Sequence, residues 1–384
     1  MKILAFTYGH PEAHGALISS ILSISENANN VDFYYKNNYK ITFKFPDNVT
    51  FIPNSFKIIP EDKFFKSSKF YKFFHFVNFT LKFYKLRCIN EYDLIFIIDP
   101  IALSSYFIST LFIKTKSKVW YHNYDPIYKN DRMSILSVTY LSYFLNKLSF
   151  KKIDYFTLPM NERLKYFNIS KFKFGYDIIP NYPNLNLHIS QPRIIQNSKI
   201  KIVFVGSVGT GRGIEEIIDV LNFKIANHQI ELHIKGYLDS NYKEILLNRA
   251  KSLNCQTNLF FNDFGPWDEV PTTIKKCDIG LAFYDRNSLM TSSLGLGGST
   301  KIYQYIGEGL PVLVDSDFKL KYLPNYDWAI GFDLNSNSIL KALESILTNY
   351  DEISSKALYD FNNTFNCNQF YNASFKHLFP AISE

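Results

Sequence analysis

The chain has 384 residues, 46% of them hydrophobic and 20% charged, which excludes a disordered protein and predicts two globular domains. There are 42 Lys and Arg against 35 Asp and Glu, a net charge of +7. That charge is mild, and no basic tail or recognition motif points to nucleic acid. The four cysteines lie far apart without metal-ligand spacing, which is typical of reduced thiols in a cytosolic protein.

The first residues do not resemble a signal peptide, because His10 and Pro11 interrupt the apolar start. The most apolar stretch, 94–113, contains Asp99 and Pro100 near its middle. A strand, a turn and a helix explain this stretch better than a membrane span does. We therefore expect a cytoplasmic protein.

Along the chain, short apolar runs alternate with helical patterns. The apolar runs of the first half are 3–7, 94–98, 118–121 and 154–158. Those of the second half are 201–205, 231–236, 277–283 and 311–314. Buried strands that alternate with helices predict parallel sheets of the α/β class.

The alternation stops at the segment DIIPNYP, residues 177–183, and the residues after it are polar and without periodicity. We predict an N-terminal Rossmann-like domain at 1–183, a linker at 184–198, a C-terminal Rossmann-like domain at 199–360 and a helical tail at 361–384. Doubly wound sheets bind ligands outside the carboxyl ends of their strands. The two domains are expected to face a central cleft.

A glycine-rich turn, VGSVGTGRGI, begins at Val205 between a predicted strand and a helical pattern. Its glycines allow the backbone to approach a phosphate closely, and Arg212 can bind phosphate oxygens in a fork. The spacing fits neither a Walker loop nor the dinucleotide fingerprint. The alternative is a tight turn that carries a surface arginine.

A second glycine-rich stretch, 294–298, precedes another helical pattern that Ser299 or Thr300 can cap. Lys301 falls in the first turn, where a cation opposes the helix dipole unless an anion is bound nearby. The alternative is a capped helix with a solvated lysine. Two such loops in one half of the chain favour a phosphate site for both.

These motifs occur in an order that resembles the group-one bacterial glycosyltransferases, family four of the retaining enzymes. In the C-terminal half the resemblance runs through 205–218, Gly236, 264–265, 277–281 and 299–314. In the N-terminal half, 92–100 resembles the family's "DxIxxHDP" strand, 120–125 its "YDSHE" segment and 179–183 its "IPNYP" hinge. The resemblance covers residues 1–350.

The resemblance implies a GT-B fold, a nucleotide-sugar donor on the C-terminal half, an acceptor on the N-terminal half and no essential metal. It also implies retention of configuration at the anomeric carbon, with Arg212 and Lys301 holding the donor diphosphate. The implied donor-binding residues are Gly206, Ser207, Gly209, Gly211, Gly236, Phe264, Trp267, Gly297, Gly298, Ser299, Thr300 and Gln304. For Trp267, packing in the core is an equal alternative.

Two departures from the family pattern bear on the site. Gln304 stands where the family has a glutamate against the ribose diol, and an amide can still bond to both hydroxyls. In the "YDSHE" segment the family histidine aligns with Tyr124, whereas His122 lies two residues earlier. Either residue is the candidate on the acceptor side of the catalytic centre. The family's early acidic residue in the sugar-binding loop has Asp285 as its candidate, or no counterpart.

The turn after the first predicted strand offers further acceptor contacts. Gly15 at a helix start permits close approach, and Glu12 and His14 are candidates to contact the acceptor. His10, Glu12 and His14 lie in one loop, which rarely suffices for a metal site. We expect no metal there.

Residues 63–87 contain seven Lys and Arg and no acid, with apolar residues at helical spacing. The cations are Lys63, Lys66, Lys69, Lys72, Lys82, Lys85 and Arg87, and the apolar stripe is Phe70, Phe74, Val77, Leu81 and Tyr84. A basic amphipathic helix of this kind can lie on the anionic inner face of the plasma membrane. The alternative is an ordinary surface helix that packs on its sheet and leaves its basic face solvated.

The sequence thus predicts a retaining glycosyltransferase that moves a sugar from a UDP- or GDP-linked donor to a glycan or polyprenyl-linked acceptor. The expected process is the assembly of bacterial capsule, O-antigen or lipopolysaccharide. A nucleotide-sugar epimerase is one alternative, although the acid/base residues it needs are not found. A catalytically inactive GT-B protein that binds a glycan or a partner is the other, and Gln304 favours it.

Overall fold

A computed structural model describes residues 1–380 except 13, 37–39, 55–67, 114–115, 128–133, 135–136, 174, 189–190, 196–197, 263–264, 266 and 285–297. The chain divides into two compact units. The first contains Met1–Asn181 and the C-terminal segment from Cys367, and the second contains Tyr182–Asn366. Each unit is built on its own parallel sheet.

The first unit has seven parallel strands in the order β3-β2-β1-β4-β5-β6-β7 within its described part. They are β1 Lys2–Thr7, β2 Asn30–Tyr35, β3 Val49–Pro53, β4 Leu94–Ile98, β5 Lys118–His122, β6 Tyr155–Leu158 and β7 Tyr176–Ile178. The strand order reverses between β1 and β4. This is the doubly wound arrangement that the alternating pattern predicted.

Helices cover both faces of this sheet. They are α1 Gly15–Glu26, α2 Lys69–Ile89, α3 Pro100–Thr110, α4 Val138–Ser149 and α12 Asn368–Leu378, with short 3₁₀ turns at Phe150–Lys152, Asn161–Tyr166 and Ile169–Lys171. Helices α2, α3 and α4 pack together on one face, where Leu4, Phe6 and Ile95 join the same core. Helices α1 and α12 pack together on the other face.

The second unit repeats the topology with the parallel order β11-β10-β8-β12-β13-β14, while β9 pairs antiparallel with β10. Its strands are β8 Lys199–Val205, β9 Lys224–Ile225, β10 His228–Lys235, β11 Leu259–Asn262, β12 Ile279–Ala282, β13 Val312–Asp315 and β14 Ala329–Phe332. Its helices are α5 Ile214–Ile218, α6 Ser240–Ser252, α7 Glu269–Lys275, α8 Lys301–Gly307, α9 Ser316–Tyr322, α10 Ser336–Thr348 and α11 Tyr350–Asn363, with 3₁₀ turns at Leu185–Leu187 and Gln256–Asn258. Apolar side chains of β8, β10 and β12 form its core with α5, α6 and α10.

The segment 184–198, predicted to be a linker, is part of the second unit. The His188 imidazole is fully buried and lies 2.8 Å from a carboxylate oxygen of Glu308. Arg193 donates from Nε to the Glu308 carbonyl at 2.9 Å and from Nη1 to the Cys277 carbonyl at 3.2 Å. These contacts join residues more than eighty positions apart, so neither local composition nor periodicity could reveal them.

The predicted tail at 361–384 also differs from the structure. Helix α11 continues to Asn363, and the segment from Cys367 returns to the first unit. There Tyr371 is buried, its ring 5.7 Å from that of Trp120. The large apolar area of this helix explains why it packs rather than remains free.

Among the described residues, no helix is both long and apolar enough to cross a membrane.

Candidate functional site

In the second unit, the strand order reverses between β8 and β12. Because crossover helices leave the two strands toward opposite faces, their carboxyl ends border a crevice, which is where doubly wound sheets bind ligands. The turn 206–213 follows β8, and Phe283 and Tyr284 follow β12. The predicted phosphate-binding turn therefore lies at this crevice.

The turn after β8 packs directly on the end of β10. Gly206 has φ +115° and Gly236 has φ +149°, and a Cβ on Gly236 would lie 1.9 Å from the Gly206 carbonyl oxygen. The Gly206 N–H donates to the Lys235 carbonyl at 2.9 Å, and the Val208 N–H donates to the Tyr237 carbonyl at 2.9 Å. Only glycine fits at Gly236, because any side chain there would displace the neighbouring turn.

Helix α8 is fixed over the same two strands by Tyr305. Its hydroxyl accepts from the Val205 N–H at 3.0 Å and donates to the Leu281 carbonyl at 3.2 Å. Gly280 makes room for this ring, since a Cβ there would lie 2.3 Å from it. This anchor places Lys301, the first residue of α8, at the carboxyl ends of β8 and β12.

The Lys301 ammonium lies between two aromatic rings at the crevice. Its Nζ is 4.1 Å from the ring centroid of Phe204 and 5.1 Å from that of Tyr284. Burial and, to a smaller extent, the positive charge of Arg212 together lower the pKa of Lys301 to about 7. Neither cation has a carboxylate partner within the part of the chain that the structure describes. Two cations that repel each other and lack an acidic partner make this site suited to an anion.

Arg212 reaches this site from the glycine-rich turn. Gly213, with φ +73°, follows it and lies against Phe283, to which a Cβ would come within 3.1 Å. The glycine-rich turn is thus in contact with the segment that follows β12. Burial raises the pKa of Tyr284, and the hydrogen bond with Ser299 and the positive charge of Arg212 offset part of that rise.

The residues around the start of α8 differ from the predicted capping. Thr300 occupies the N-cap position without a side-chain bond to the helix, and Ser299 instead bonds to the Tyr284 hydroxyl. The reason is that Thr300 has a helical backbone conformation (φ −83°, ψ −38°) rather than the extended one a cap needs. Gln304 is buried in the first full turn of α8, on the same helix as Lys301.

The remaining predicted donor residues fall at the same edge of the sheet or outside the description. Gly206, Ser207 and Gly211 are exposed in the turn after β8, Gly209 is partly exposed, and Trp267 is buried after β11. Gly298 is partly buried just before α8. Phe264, Gly297 and Asp285 lie outside the described residues.

In the first unit, the two acceptor-side candidates are both buried. The His122 Nδ1 lies 2.8 Å from the Thr157 hydroxyl, and burial lowers the His122 pKa to about 3. Tyr124 donates to the Ala16 carbonyl at 2.9 Å and bonds to the Ser20 hydroxyl. These bonds hold Tyr124 against α1, whereas His122 ends β5 at the carboxyl edge of the sheet.

The loop after β1 places the other acceptor candidates. His14 caps α1, its Nδ1 accepting from the Leu17 N–H at 3.2 Å, and Gly15 begins the helix. Glu12 is 5% exposed, and its Oε1 accepts from the Thr42 N–H at 2.9 Å. His14 and Glu12 therefore both stabilise the loop and the start of α1 through hydrogen bonds within the protein. No group of three or more potential metal ligands is found among the described residues.

Sequence reasoning missed the aromatic side chains around Lys301. Phe204 lies in β8 and Tyr284 follows β12, two strands that are distant in sequence, and only the parallel pairing of β8 with β12 brings the two side chains together. The available signal was positional, because each residue stands at or just after the carboxyl end of a predicted strand.

The sequence profile of the group 1 glycosyl transferases matches residues 188–283, which include the glycine-rich turn and Arg212. Through this region, about a quarter of its length, the chain is similar to the group 1 glycosyl transferases, and it is a glycosyltransferase, an enzyme that transfers a sugar. No curated protein sequence matches the chain.

Solved structures resemble the chain over nearly its whole length. Sucrose-phosphate synthase from Thermosynechococcus elongatus is 13% identical, with 99% of each chain covered and a TM-score of 0.68. HepE from Anabaena, solved with UDP and glucose, is 14% identical, with 98% of this chain and 99% of that chain covered and a TM-score of 0.64. The lipopolysaccharide outer core galactosyltransferase WaaB is 11% identical, with coverage of 99% and 100% and a TM-score of 0.56. At these identities the likeness shows the fold, which is GT-B.

The contact between the two glycine turns leads to a stability prediction for this glycosyltransferase. Gly236→Ala should lower the free energy of unfolding by on the order of 3 kcal/mol or more, because its Cβ would overlap the Gly206 carbonyl. Gly209→Ala is the matched control, since a Cβ there meets nothing within 4 Å. Denaturant unfolding of the three proteins provides the measurement. Equal stability of Gly236→Ala and the control would show that the two turns do not approach each other so closely.

Proposed function

We propose that this glycosyltransferase retains the anomeric configuration and transfers a sugar from a nucleotide-diphosphate sugar to a glycan or lipid-linked acceptor. We further propose that the reaction contributes to bacterial capsule, O-antigen or lipopolysaccharide synthesis. The observation that carries the proposal is the pair of cations, Arg212 and Lys301, at the switch point of the second sheet. A diphosphate is the part of such a donor that two adjacent cations would bind.

The electrostatic cost of bringing these cations together supports this assignment. Burial and the charge of Arg212 lower the pKa of Lys301 to about 7, so Lys301 holds its proton only weakly beside Arg212. A bound dianion would reverse the sign of the local field and keep Lys301 protonated. The site is therefore suited to a dianionic ligand.

Catalysis would follow from the same charges. When the bond between the anomeric carbon and the diphosphate oxygen breaks, negative charge grows on the leaving group, and Arg212 and Lys301 would stabilise it. The acceptor hydroxyl would attack on the face that the diphosphate leaves, which retains configuration. In this scheme the two side chains take the role that a divalent cation has in other enzymes, so we propose that no metal is required.

Two of the structural neighbours support the choice of donor and of process. HepE was solved with UDP-glucose, and WaaB acts on the lipopolysaccharide outer core. The identities of 13% and 11% leave the sugar and the acceptor of this chain as proposals. The uridine nucleotide is accordingly the first donor to test.

Removal of either cation should slow turnover more than it weakens donor binding, because charge grows in the transition state. We expect Arg212→Ala and Lys301→Ala each to lower kcat about a hundredfold, on the order of 3 kcal/mol. The double variant should lose less than the sum, since both residues serve one leaving group. Arg212→Lys should keep part of the activity, because a point charge still reaches one oxygen.

The measurement is steady-state kinetics with a panel of UDP- and GDP-sugars, with and without a chelator. Lys341→Ala, which removes an exposed lysine on α10, is the control. Normal turnover in either single variant would remove that residue from the site. Loss of activity on addition of chelator alone would overturn the metal-free mechanism.

The lowered pKa of Lys301 predicts that UDP binding is linked to proton uptake. Above pH 7 the free Lys301 is largely neutral, and binding of the diphosphate must restore its proton. The affinity should therefore fall by up to about tenfold per pH unit above pH 7, apart from the titration of UDP itself. In Lys301→Arg the guanidinium stays charged, so this component should vanish.

Calorimetry at pH 8 in buffers of different ionisation enthalpy measures the protons taken up. The wild-type protein should take up a substantial fraction of one proton per UDP, and Lys301→Arg should take up fewer. Equal proton uptake by the two proteins would show that Lys301 does not contact the diphosphate.

We also propose peripheral attachment to anionic membrane lipid through α2. Three residues of the predicted stripe are largely exposed: Phe70 is 77% exposed, Phe74 61% and Leu81 56%. Val77 and Tyr84 of the same stripe are partly buried. The helix packs on its sheet through another face, which contains Phe76, Phe79 and Phe83, so the three exposed side chains remain available to a lipid surface.

Further exposed groups extend this surface within the first unit. Phe112, 73% exposed, lies beside Tyr84 with 6.2 Å between ring centroids. Lys69 and Lys85 are exposed on the same helix, whereas Arg87 is buried and donates to the Ser109 hydroxyl at 2.5 Å. Apolar rings flanked by cations are the composition that anionic lipid binds. Lys63 and Lys66 lie outside the described residues.

Reversal of charge on α2 should weaken binding to anionic vesicles. Each lysine near the surface contributes about 1 kcal/mol, so Lys69→Glu, Lys72→Glu and Lys85→Glu together should reduce binding at least about a hundredfold. Phe70→Ser with Phe74→Ser should reduce the binding that persists in high salt. The measurement is co-sedimentation with phosphatidylglycerol vesicles, with Lys341→Glu as control. Unchanged co-sedimentation of the triple lysine variant in low salt would overturn the proposal.

A further inference from the structure

The first unit has its own reversal of strand order, between β1 and β4, and Asp99 stands there directly after β4. Asp99 has φ +83° and ψ 153°, a backbone conformation that a non-glycine residue adopts only at a cost. Strain of this kind persists where surrounding contacts enforce it, and it is concentrated at functional sites. The contacts of Asp99 therefore indicate what the strain maintains.

The two carboxylate oxygens of Asp99 hold different elements. Oδ1 accepts from the N–H groups of Ile101 and Ala102, at 2.8 Å each, and so caps α3. Oδ2 accepts from the Thr7 hydroxyl at 2.7 Å and from the Tyr8 N–H at 2.5 Å. The side chain thus ties the start of α3 to the first residues of the loop after β1.

This tie is at the crevice of the first sheet. Helix α3 lies on the face with α2 and α4, and α1 lies on the face with α12, so the loops that lead to them diverge at this point. The Thr7 hydroxyl also accepts from the Gly9 N–H at 3.2 Å, which extends the same network one residue further. The loop then continues through Glu12 to His14 at the start of α1.

We propose that Asp99 is a positioning residue: its carboxylate holds the loop from Tyr8 to His14 in the conformation that meets the acceptor. This inference rests on the proposed function, in which the first unit binds the acceptor. Because Asp99 accepts four hydrogen bonds within the protein, it acts through this loop and not on the substrate itself.

Asp99→Asn separates the two tasks of the side chain. Asparagine tolerates positive φ, and its side-chain oxygen can still cap α3. Its side-chain nitrogen would then face the Tyr8 N–H, and two donors cannot form a hydrogen bond with each other. The amides of residues 8–10 and 12 should exchange with solvent about tenfold faster or more, since the partly buried Tyr8 N–H loses its acceptor. Exchange in the first turn of α3 should remain as in the wild type.

Thr7→Val and Thr7→Ser test the same network from its other side. Thr7→Val removes the hydroxyl and should raise the rate of amide exchange in the loop. Thr7→Ser keeps the hydroxyl and should exchange at the wild-type rate. Asp239→Asn is the matched control, because Asp239 caps α6 through the Asn241 and Tyr242 N–H groups in the same manner, without a second element. This control should leave exchange in the loop after β1 unchanged.

The functional measurements are the rate of sugar transfer and the affinity for UDP, both in the full-length protein. Asp99→Asn should lower transfer about tenfold or more, in step with the loss of loop protection, while UDP binding stays as in the wild type. Wild-type exchange at residues 8–10 and 12 of Asp99→Asn, or faster exchange with full transfer, would overturn the inference. Failure of the wild-type protein to bind any nucleotide would refute the proposed function, and hydrogen exchange would still decide whether Asp99 holds the loop.

Discussion

The reversal of strand order in each parallel sheet is the constraint on which the rest of this structure depends. In the second unit it places the carboxyl ends of β8 and β12 side by side, while their helices leave toward opposite faces. The turn after β8 can then approach Phe283, and α8 can lie over both strands through Tyr305. Arg212 and Lys301, nearly ninety residues apart, reach one crevice only because of this arrangement.

The close approach of these two cations has an electrostatic consequence. Partial burial against Phe204 and Tyr284 removes water from the Lys301 ammonium, and Arg212 adds repulsion, so the pKa of Lys301 falls to about 7. The aromatic faces offset part of this cost by cation–π attraction. What the protein lacks here among its described residues is an acidic partner, and an anionic ligand would supply it. The same charges that destabilise the empty site are those that would stabilise a departing diphosphate.

The two units carry side chains of opposite charge where their strand order reverses. In the second unit, α8 begins without a side-chain cap and carries a cation in its first turn. In the first unit, the carboxylate of Asp99 caps α3 and binds the neighbouring loop.

The sequence by itself determined the α/β class, the two sheets and the glycosyltransferase family, because strand and helix periodicity and the order of short motifs are local properties. It also singled out Arg212 and Lys301 as candidates for a phosphate site, since each follows a glycine-rich turn at a helix start. Only the tertiary structure decided which residues surround them: Phe204 and Tyr284 meet through strand pairing, and the stripe Phe70, Phe74 and Leu81 stays exposed because α2 buries its other face. Likewise the segment from His188 to Arg193 belongs to the second unit and the helix from Asn368 to the first, through contacts between residues far apart in the chain. Such contacts depend on which surfaces remain available after the sheets have formed, and a linear pattern does not contain that information.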